Sequence, residues 1–271
     1  MSNETILQGP TFGPANGENA KKLVILLHGL GANGADLIGL APFLSDVLPE
    51  VEFLAPNAPQ ACDMAPVGYQ WFSLQDRSPA AIEAGVRAAA PLVINYIEHH
   101  LEKRSLKYSD IALLGFSQGC MMSLFVGFRL QNKIAAILGY SGALVASEKL
   151  VSEATNRPPV LLIHGESDPV VPFDRLEEAR KGLELAHAEN AGRCGFIVVD
   201  PVPPRSSAHQ PHPALTPLDQ LVTVDGVAAE TLRGLLGRRW LAPSFEDAAA
   251  AAMATTDPIV TPDGTVFCGA S

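Results

Sequence analysis

Apolar residues in this chain fall into short, nearly unbroken blocks, and between the blocks runs a second pattern of period three to four. Leu23-Val24-Ile25-Leu26-Leu27, after Lys22, is the first block. It is too short for a helix and apolar at every position, which predicts a strand covered on both faces. Val51-Glu52-Phe53-Leu54-Ala55 predicts another, stopped by Pro56. From Ser78 the period changes. Ser78 suits an N-cap and Pro79 the first helical position, and Ile82, Val86, Ala89, Val93, Ile97 and Leu101 then place one apolar face on a helix. Pro91 predicts a kink in it. Asp110-Ile111-Ala112-Leu113-Leu114 is a further buried strand, followed by a helix from Cys120 to about Leu130. Ile134–Tyr140, Pro159–Gly165 and Phe196–Val199 read as strands, and Asp174 to about Ala188 as a helix of mixed charge. Strands alternating with helices predict an α/β fold, with a mostly parallel, doubly wound sheet and helices on both faces. No internal repeat is visible.

Past Asp200 the pattern changes. Pro201, Pro203, Pro204, Pro211, Pro213 and Pro217 crowd a stretch that reads as loop. Ala228 to Trp240 predicts a last helix, with Leu232, Leu235, Leu236 and Trp240 on one face. The alanines from Ala248 to Ala252 and the turn signal Thr261-Pro262-Asp263-Gly264 follow. The expected organisation is a single domain over residues 1–240 and a C-terminal extension over 241–271, read as a surface appendage.

Composition narrows the function classes. The chain has 271 residues, 47% of them hydrophobic, with a formal net charge of −10. That is enough apolar material for one large packed domain. The negative charge argues against nucleic acid or an anionic membrane as partner. No apolar run approaches the roughly 18 residues of a membrane span, so no stable membrane insertion is expected. Met1-Ser2-Asn3-Glu4-Thr5 does not open a basic-then-apolar leader, so no secretory signal is expected. Cys62, Cys120, Cys194 and Cys268 lack metal-type spacing and read as reduced thiols of a cytoplasmic protein; Cys120 reads as a small core residue.

Candidate chemistry centres on Gly115-Phe116-Ser117-Gln118-Gly119, which lies between a predicted strand and a predicted helix. A Gly-x-Ser-x-Gly in that setting is a nucleophile elbow: the tight turn lifts the serine above the sheet at the positive end of the helix dipole. Serine hydrolysis also needs a base, an acid to orient it, and donors for the oxyanion. His28-Gly29-Leu30-Gly31 follows the first strand, and its glycines let the loop approach the elbow. The N–H groups of Leu30 and Gln118 are the candidate oxyanion donors, and His28 is expected to hold the loop by hydrogen bonds rather than act as base. Asp168, after the strand ending at Gly165, is the candidate acid, with Glu166 as a competitor.

These segments, together with Ala55-Pro56-Asn57-Ala58-Pro59, Gln70-Trp71-Phe72 and His164-Gly165-Glu166-Ser167-Asp168-Pro169-Val170-Val171-Pro172, resemble the phospholipase/carboxylesterase family of α/β-hydrolases, which includes the acyl-protein thioesterases. The resemblance covers about residues 20–190. It implies hydrolysis of a small-molecule acyl ester or thioester, lysophospholipids among the candidates, without metal or organic cofactor. Ser117 would be the nucleophile and Asp168 the acid, with Trp71 and Phe72 near the acyl pocket. Family members include homodimers. The departure is the histidine: no glycine-rich histidine loop follows Phe196–Val199, and the next histidines are His209 and His212. His212 is the expected base, ahead of His209. A protein without a base in reach of Ser117, acting as a binding module, is the alternative. A shifted reading frame or fused foreign tail beginning between Arg193 and Pro204 would also produce the mismatch.

Overall fold

The computed structural model describes residues 6–165, 168–187, 194–199, 215–217, 240–252, 259–260 and 266–267. The chain divides into two compact units, Met1–Val198 and Val199–Ser271.

In the first unit the elements run β1 (Thr11–Phe12), β2 (Lys22–Leu27), α1 (Gly34–Ile38), α2 (Ala41–Ser45), β3 (Val51–Leu54), β4 (Gln60–Ala61), β5 (Tyr69–Gln70), α3 (Pro79–Arg104), β6 (Ile111–Phe116), α4 (Gln118–Arg129), β7 (Ala136–Tyr140), α5 (Leu150–Glu153), β8 (Val160–Gly165), α6 (Asp174–His187) and β9 (Cys194–Val199). Seven strands form one sheet in the order β1-β3-β2-β6-β7-β8-β9. The pairs β3/β2, β2/β6, β6/β7 and β7/β8 are parallel, and β1 lies antiparallel on β3. β4 and β5 form a separate antiparallel pair.

The unbroken apolar blocks are explained by two-sided burial. On β2, Leu23, Ile25 and Leu27 enter a large core with Val86, Val93 and Ile97 of α3 and Leu124, Phe125 and Phe128 of α4. Leu26, on the opposite face, packs in a second core with Phe53, Leu114 and Ala41.

Ser78 caps α3, its Oγ accepting from Ala81 N–H at 3.3 Å, and the helix ends at Ser105 in the left-handed region, φ 55°. α3 runs unbroken through Pro91, so the expected kink does not divide it. Pro91 and Arg87, whose carbonyl the proline leaves free, are both exposed, and water can satisfy that carbonyl. By length and composition α3 is apolar enough to cross a membrane. Its Val86, Ala89, Val93, Ile97 and Leu101 are instead buried in the core of the unit.

α3 also carries a titratable group inside the fold. His100 is 9% exposed and its Nδ1 accepts from Arg104 Nη1 at 2.7 Å, while Arg104 grips Glu52 with two nitrogens. Burial first, then the Arg104 and His99 charges, hold the His100 pKa down at about 4, against 6.5 for the free group; Glu52 opposes the shift and Lys103 adds to it. A lowered histidine pKa means the unfolded chain takes up the proton first. Stability is therefore full above pH 6.5 and falls as the pH drops from 6.5 towards 4, by on the order of 2–3 kcal/mol. Urea unfolding at pH 7, 5.5 and 4.5 is expected to show that loss in the parent and a smaller one in His100→Gln, which keeps an acceptor but does not titrate. Equal slopes would remove His100 from the account.

The second unit contains β10 (Thr216–Pro217), β11 (Trp240–Leu241), α7 (Phe245–Ala252), β12 (Ile259–Val260) and β13 (Val266–Phe267). Its strands lie in chain order, with β11 and β12 parallel across α7 and the outer pairs antiparallel. Leu215, Trp240, Ala242, Ala248, Ala251 and Ile259 form its buried cluster. Ser244 caps α7, accepting from Asp247 N–H at 3.1 Å. One expectation is corrected here. Trp240 does not close a helix but pairs in β11 opposite Pro217; residues 228–239 lie outside the described residues. The compact units divide at 198/199, and Trp240 shares one buried cluster with Leu215 and Ala242.

Candidate active site

The sheet order sets where a site can form. From β2 the chain moves outwards to β3, and from β6 it moves the other way to β7. Neighbouring parallel strands whose connections diverge leave a crevice at their C-terminal ends. The loop after β2 and the turn after β6 therefore meet, and they are the two glycine-rich segments singled out in the sequence.

Ser117 joins β6 to α4 with φ 52° and ψ −115°. Its N–H donates to Tyr140 O at 2.8 Å, and its carbonyl accepts from Cys120 and Met121. Holding a non-glycine residue there costs about 1–3 kcal/mol and is seen where surrounding structure fixes it. The flanking glycines permit the turn. A Cβ on Gly119 would lie 1.9 Å from Leu27 O and 2.7 Å from His28 O, and one on Gly115 would lie 2.3 Å from Gly119 O. All these neighbours are backbone and cannot swing away. Gly119→Ala is accordingly expected to destabilise the fold by about 3–5 kcal/mol, at the upper end for single substitutions. A melting curve within a degree or two of the parent would show that the elbow and β2 can separate at little cost.

The loop after β2 lies against Ser117: a Cβ on Gly29 would be 3.3 Å from Ser117 Cβ and 3.0 Å from Phe116 Cδ1. His28 is fully buried. Its Nε2 accepts from Ala58 N–H at 2.9 Å, so Nδ1 carries the proton and donates to Gly29 O at 2.8 Å. Burial lowers its pKa and keeps the ring neutral. Both nitrogens are thus used on backbone, as the sequence reading expects, and the peptide joining Gly29 to Leu30 is held in one orientation. Among the described residues Leu30 N–H donates to no carbonyl. Gln118 is the first residue of α4, where an N–H has no intrahelical acceptor.

Trp71 and Phe72 are 1% and 3% exposed. Both side chains sit in the core, while their backbone meets the elbow. Gln118 Oε1 accepts from Trp71 N–H at 2.8 Å and Gln118 Nε2 donates to Phe72 O at 2.7 Å. Trp71 Nε1 donates to His28 O at 2.9 Å.

Asp168 lies in the loop after β8. Its Oδ1 accepts from Val170 N–H at 2.8 Å and Val171 N–H at 2.9 Å. The Val171 bond above all, then Val170, the Ser141 hydroxyl and His164, hold the carboxyl below the usual aspartate range against a smaller opposing effect of burial. It is a carboxylate at neutral pH. His164, 1% exposed, donates from Nε2 to Val171 O at 2.9 Å and ties this loop to β8. The Gln118 side chain and His164 are positions sequence reasoning missed. The buried glutamine beside Ser117 was visible as an amide in an apolar context, whereas the bond from His164 has no sequence signal. Glu166, His209 and His212 lie outside the described residues, and His187 is the last residue of α6. Among the described residues no group of three or more His, Cys, Asp or Glu could hold a metal ion. Burial pushes the Cys120 thiol up to about 12, which makes it inert beside the elbow.

Comparison with known proteins matches residues 14–194 to the Phospholipase/Carboxylesterase family model. A second model, the SMC proteins Flexible Hinge Domain, matches residues 170–252, less than half of the chain. Acyl-protein thioesterase 1 of Gibberella zeae is 30% identical over 183 residues, covering 59% of this chain and 76% of that protein. Among solved structures, esterase PE8 is 40% identical with a TM-score of 0.67, covering 72% of this chain and 89% of its own. A phospholipase/carboxylesterase from Dyadobacter fermentans is 26% identical with a TM-score of 0.52, over 74% and 91%.

Proposed function

Because the chain belongs to the phospholipase/carboxylesterase family of α/β-hydrolases and is an ester or thioester hydrolase, we propose that it works through an acyl-enzyme on Ser117. The observation carrying this reading is Ser117 held at φ 52° at the start of α4, with the Gly29–Leu30 loop packed against it. A histidine takes the Ser117 proton as Oγ attacks the acyl carbonyl, then returns it to the leaving alcohol or thiol. Sequence assigns that base to His212, with His209 second. Asp168 orients the imidazole and stabilises its cation. The N–H groups of Leu30 and Gln118 receive the oxyanion, each contributing about 3–4 kcal/mol to the transition state. Water, activated by the same histidine, then releases the acid. No step calls on a metal or organic cofactor. Trp71 and Phe72 back the acyl site from below. The substrates are acyl esters or thioesters, the class named by the thioesterase and esterase relatives.

The test is hydrolysis of p-nitrophenyl butyrate by the full-length protein at neutral pH, with stoichiometric labelling by a fluorophosphonate mapped by mass spectrometry. Turnover with the label on Ser117 supports the reading. A folded protein that neither turns over nor labels would leave the fold without its base. His212→Ala and His209→Ala, assayed side by side, then decide which ring is the base.

A further inference from the structure

The two groups offered to an oxyanion come from segments far apart in the chain, the loop after β2 and the first residue of α4. They must hold their spacing to within a few tenths of an ångström to act together. One continuous path of buried hydrogen bonds joins them. It starts at the Gln118 side chain, fully buried, which grips the backbone of Trp71 and Phe72 with its acceptor and its donor. It passes through the Trp71 indole to His28 O. It ends with the His28 ring on Gly29 O. The last two bonds hold consecutive peptides, 28–29 and 29–30, and the second of these carries the Leu30 N–H. His28 is itself anchored by Ala58 N–H, and its ring stands 5.5 Å from that of Trp71. Direct contact between elbow and loop adds the end of the β2–β6 ladder, where Leu27 pairs with Gly115, and packing around Gly119 and Gly29, but none of these reaches the 29–30 peptide with a hydrogen bond among the described residues.

We propose that the Gln118 side chain and Trp71 are positioning residues that set the spacing of the Leu30 and Gln118 N–H donors. This rests on the esterase reading for its catalytic consequence, though not for the structural coupling. The same residue thus has two tasks: its backbone donates to the oxyanion, and its side chain holds the other donor in register. Gln118, Trp71 and His28 are all buried, so a bond removed from this path leaves its partner unsatisfied. The consequence is a geometric error in the transition state, which the ground state hardly feels.

Two variants isolate the path. Gln118→Met keeps the backbone N–H and side-chain length but removes both polar ends. Trp71→Phe keeps an aromatic ring and removes the indole N–H. Turnover of p-nitrophenyl butyrate is measured per fluorophosphonate-titrated site, together with amide hydrogen exchange of the peptide covering residues 28–31. Each variant is expected to lose about tenfold to a hundredfold in kcat with KM within about threefold, the scale of a roughly 1 Å misplacement. The double variant is expected to fall short of the product of the two losses, because the bonds act in series. Exchange at 28–31 is expected to quicken in Gln118→Met even though that side chain bonds to Trp71 and Phe72 and, among the described residues, not to the segment itself. A kcat per site within threefold of the parent, multiplicative losses, or unchanged exchange overturns the proposal. A parent without turnover strikes the esterase reading, and exchange alone then decides the coupling. If Gln118→Met fails to fold, Gln118→Glu, which keeps the acceptor for Trp71 N–H, takes its place under the same criteria.

Discussion

Ser117→Ala is expected to lower turnover of p-nitrophenyl butyrate by about 10⁴–10⁶-fold, the range seen when an acyl-enzyme nucleophile is removed. Oxyanion donors and substrate binding survive the change, so KM is expected to move little while kcat collapses. The fold is expected to survive too. Among the described residues Ser117 Oγ makes no hydrogen bond, and alanine meets the same strain at φ 52° as serine does. Stability should therefore change by less than about 1 kcal/mol. Ser117→Gly makes the argument sharper. Glycine adopts positive φ freely, so this variant is expected to be more stable than Ser117→Ala by about 1 kcal/mol while being equally inactive. A thermal melt of the three proteins checks the order. Activity retained in Ser117→Ala would move the nucleophile elsewhere, and equal melting of the alanine and glycine variants would show that the elbow is not strained.

The strands were legible because two-sided burial leaves no polar position to interrupt them. Leu23–Leu27 and Pro159–Gly165 correspond to β2 and β8 almost residue for residue. α3 was legible from its period and from the Ser78-Pro79 start. Pro91 was legible as a proline inside this helix, which continues through it. Trp240 was misread for a different reason. A large apolar residue at helical spacing says that something is buried, not which backbone carries it, and the partner that makes it a strand is Pro217, more than twenty residues away.

The site divides along the same line. Ser117, Gly29, Leu30 and Asp168 follow the ends of recognisable strands, so their placement comes with the fold. The bonds that hold them, from Gln118 to Trp71 and from His164 to Val171, join residues whose proximity only the folded sheet creates. The base was the part least open to reading. The family match ends at residue 194, the first compact unit ends at Val198, and the change of sequence character lies between Arg193 and Pro204. His209 and His212 fall beyond all three, where the family's own pattern no longer guides the choice.

Asp168→Asn tests the part of the mechanism that does not depend on which histidine is the base. Asparagine keeps an oxygen to accept from Val170 and Val171 N–H, so the loop is expected to stay in place. What it removes is the charge. Without a carboxylate the imidazole loses both its orientation and the stabilisation of its cation, and kcat is expected to fall by about 10³–10⁴-fold. The pH profile supplies the sign. A negative charge beside a histidine raises its pKa, so the acid limb of kcat/KM in the parent reports a raised value; in Asp168→Asn that limb is expected to move to lower pH. Asp168 itself, held below the usual range by the Val171 and Val170 bonds, stays ionised through the whole limb and contributes no inflection to it. Its contribution to stability is present above its unfolded value of about 3.8 and is lost only as the pH falls through the depressed folded value. Parent and variant should therefore differ slightly in urea stability at pH 7 and converge in strong acid. An acid limb that stays where it is, with most of the activity retained, would pass the role of acid to Glu166, the carboxylate two positions earlier in the sequence.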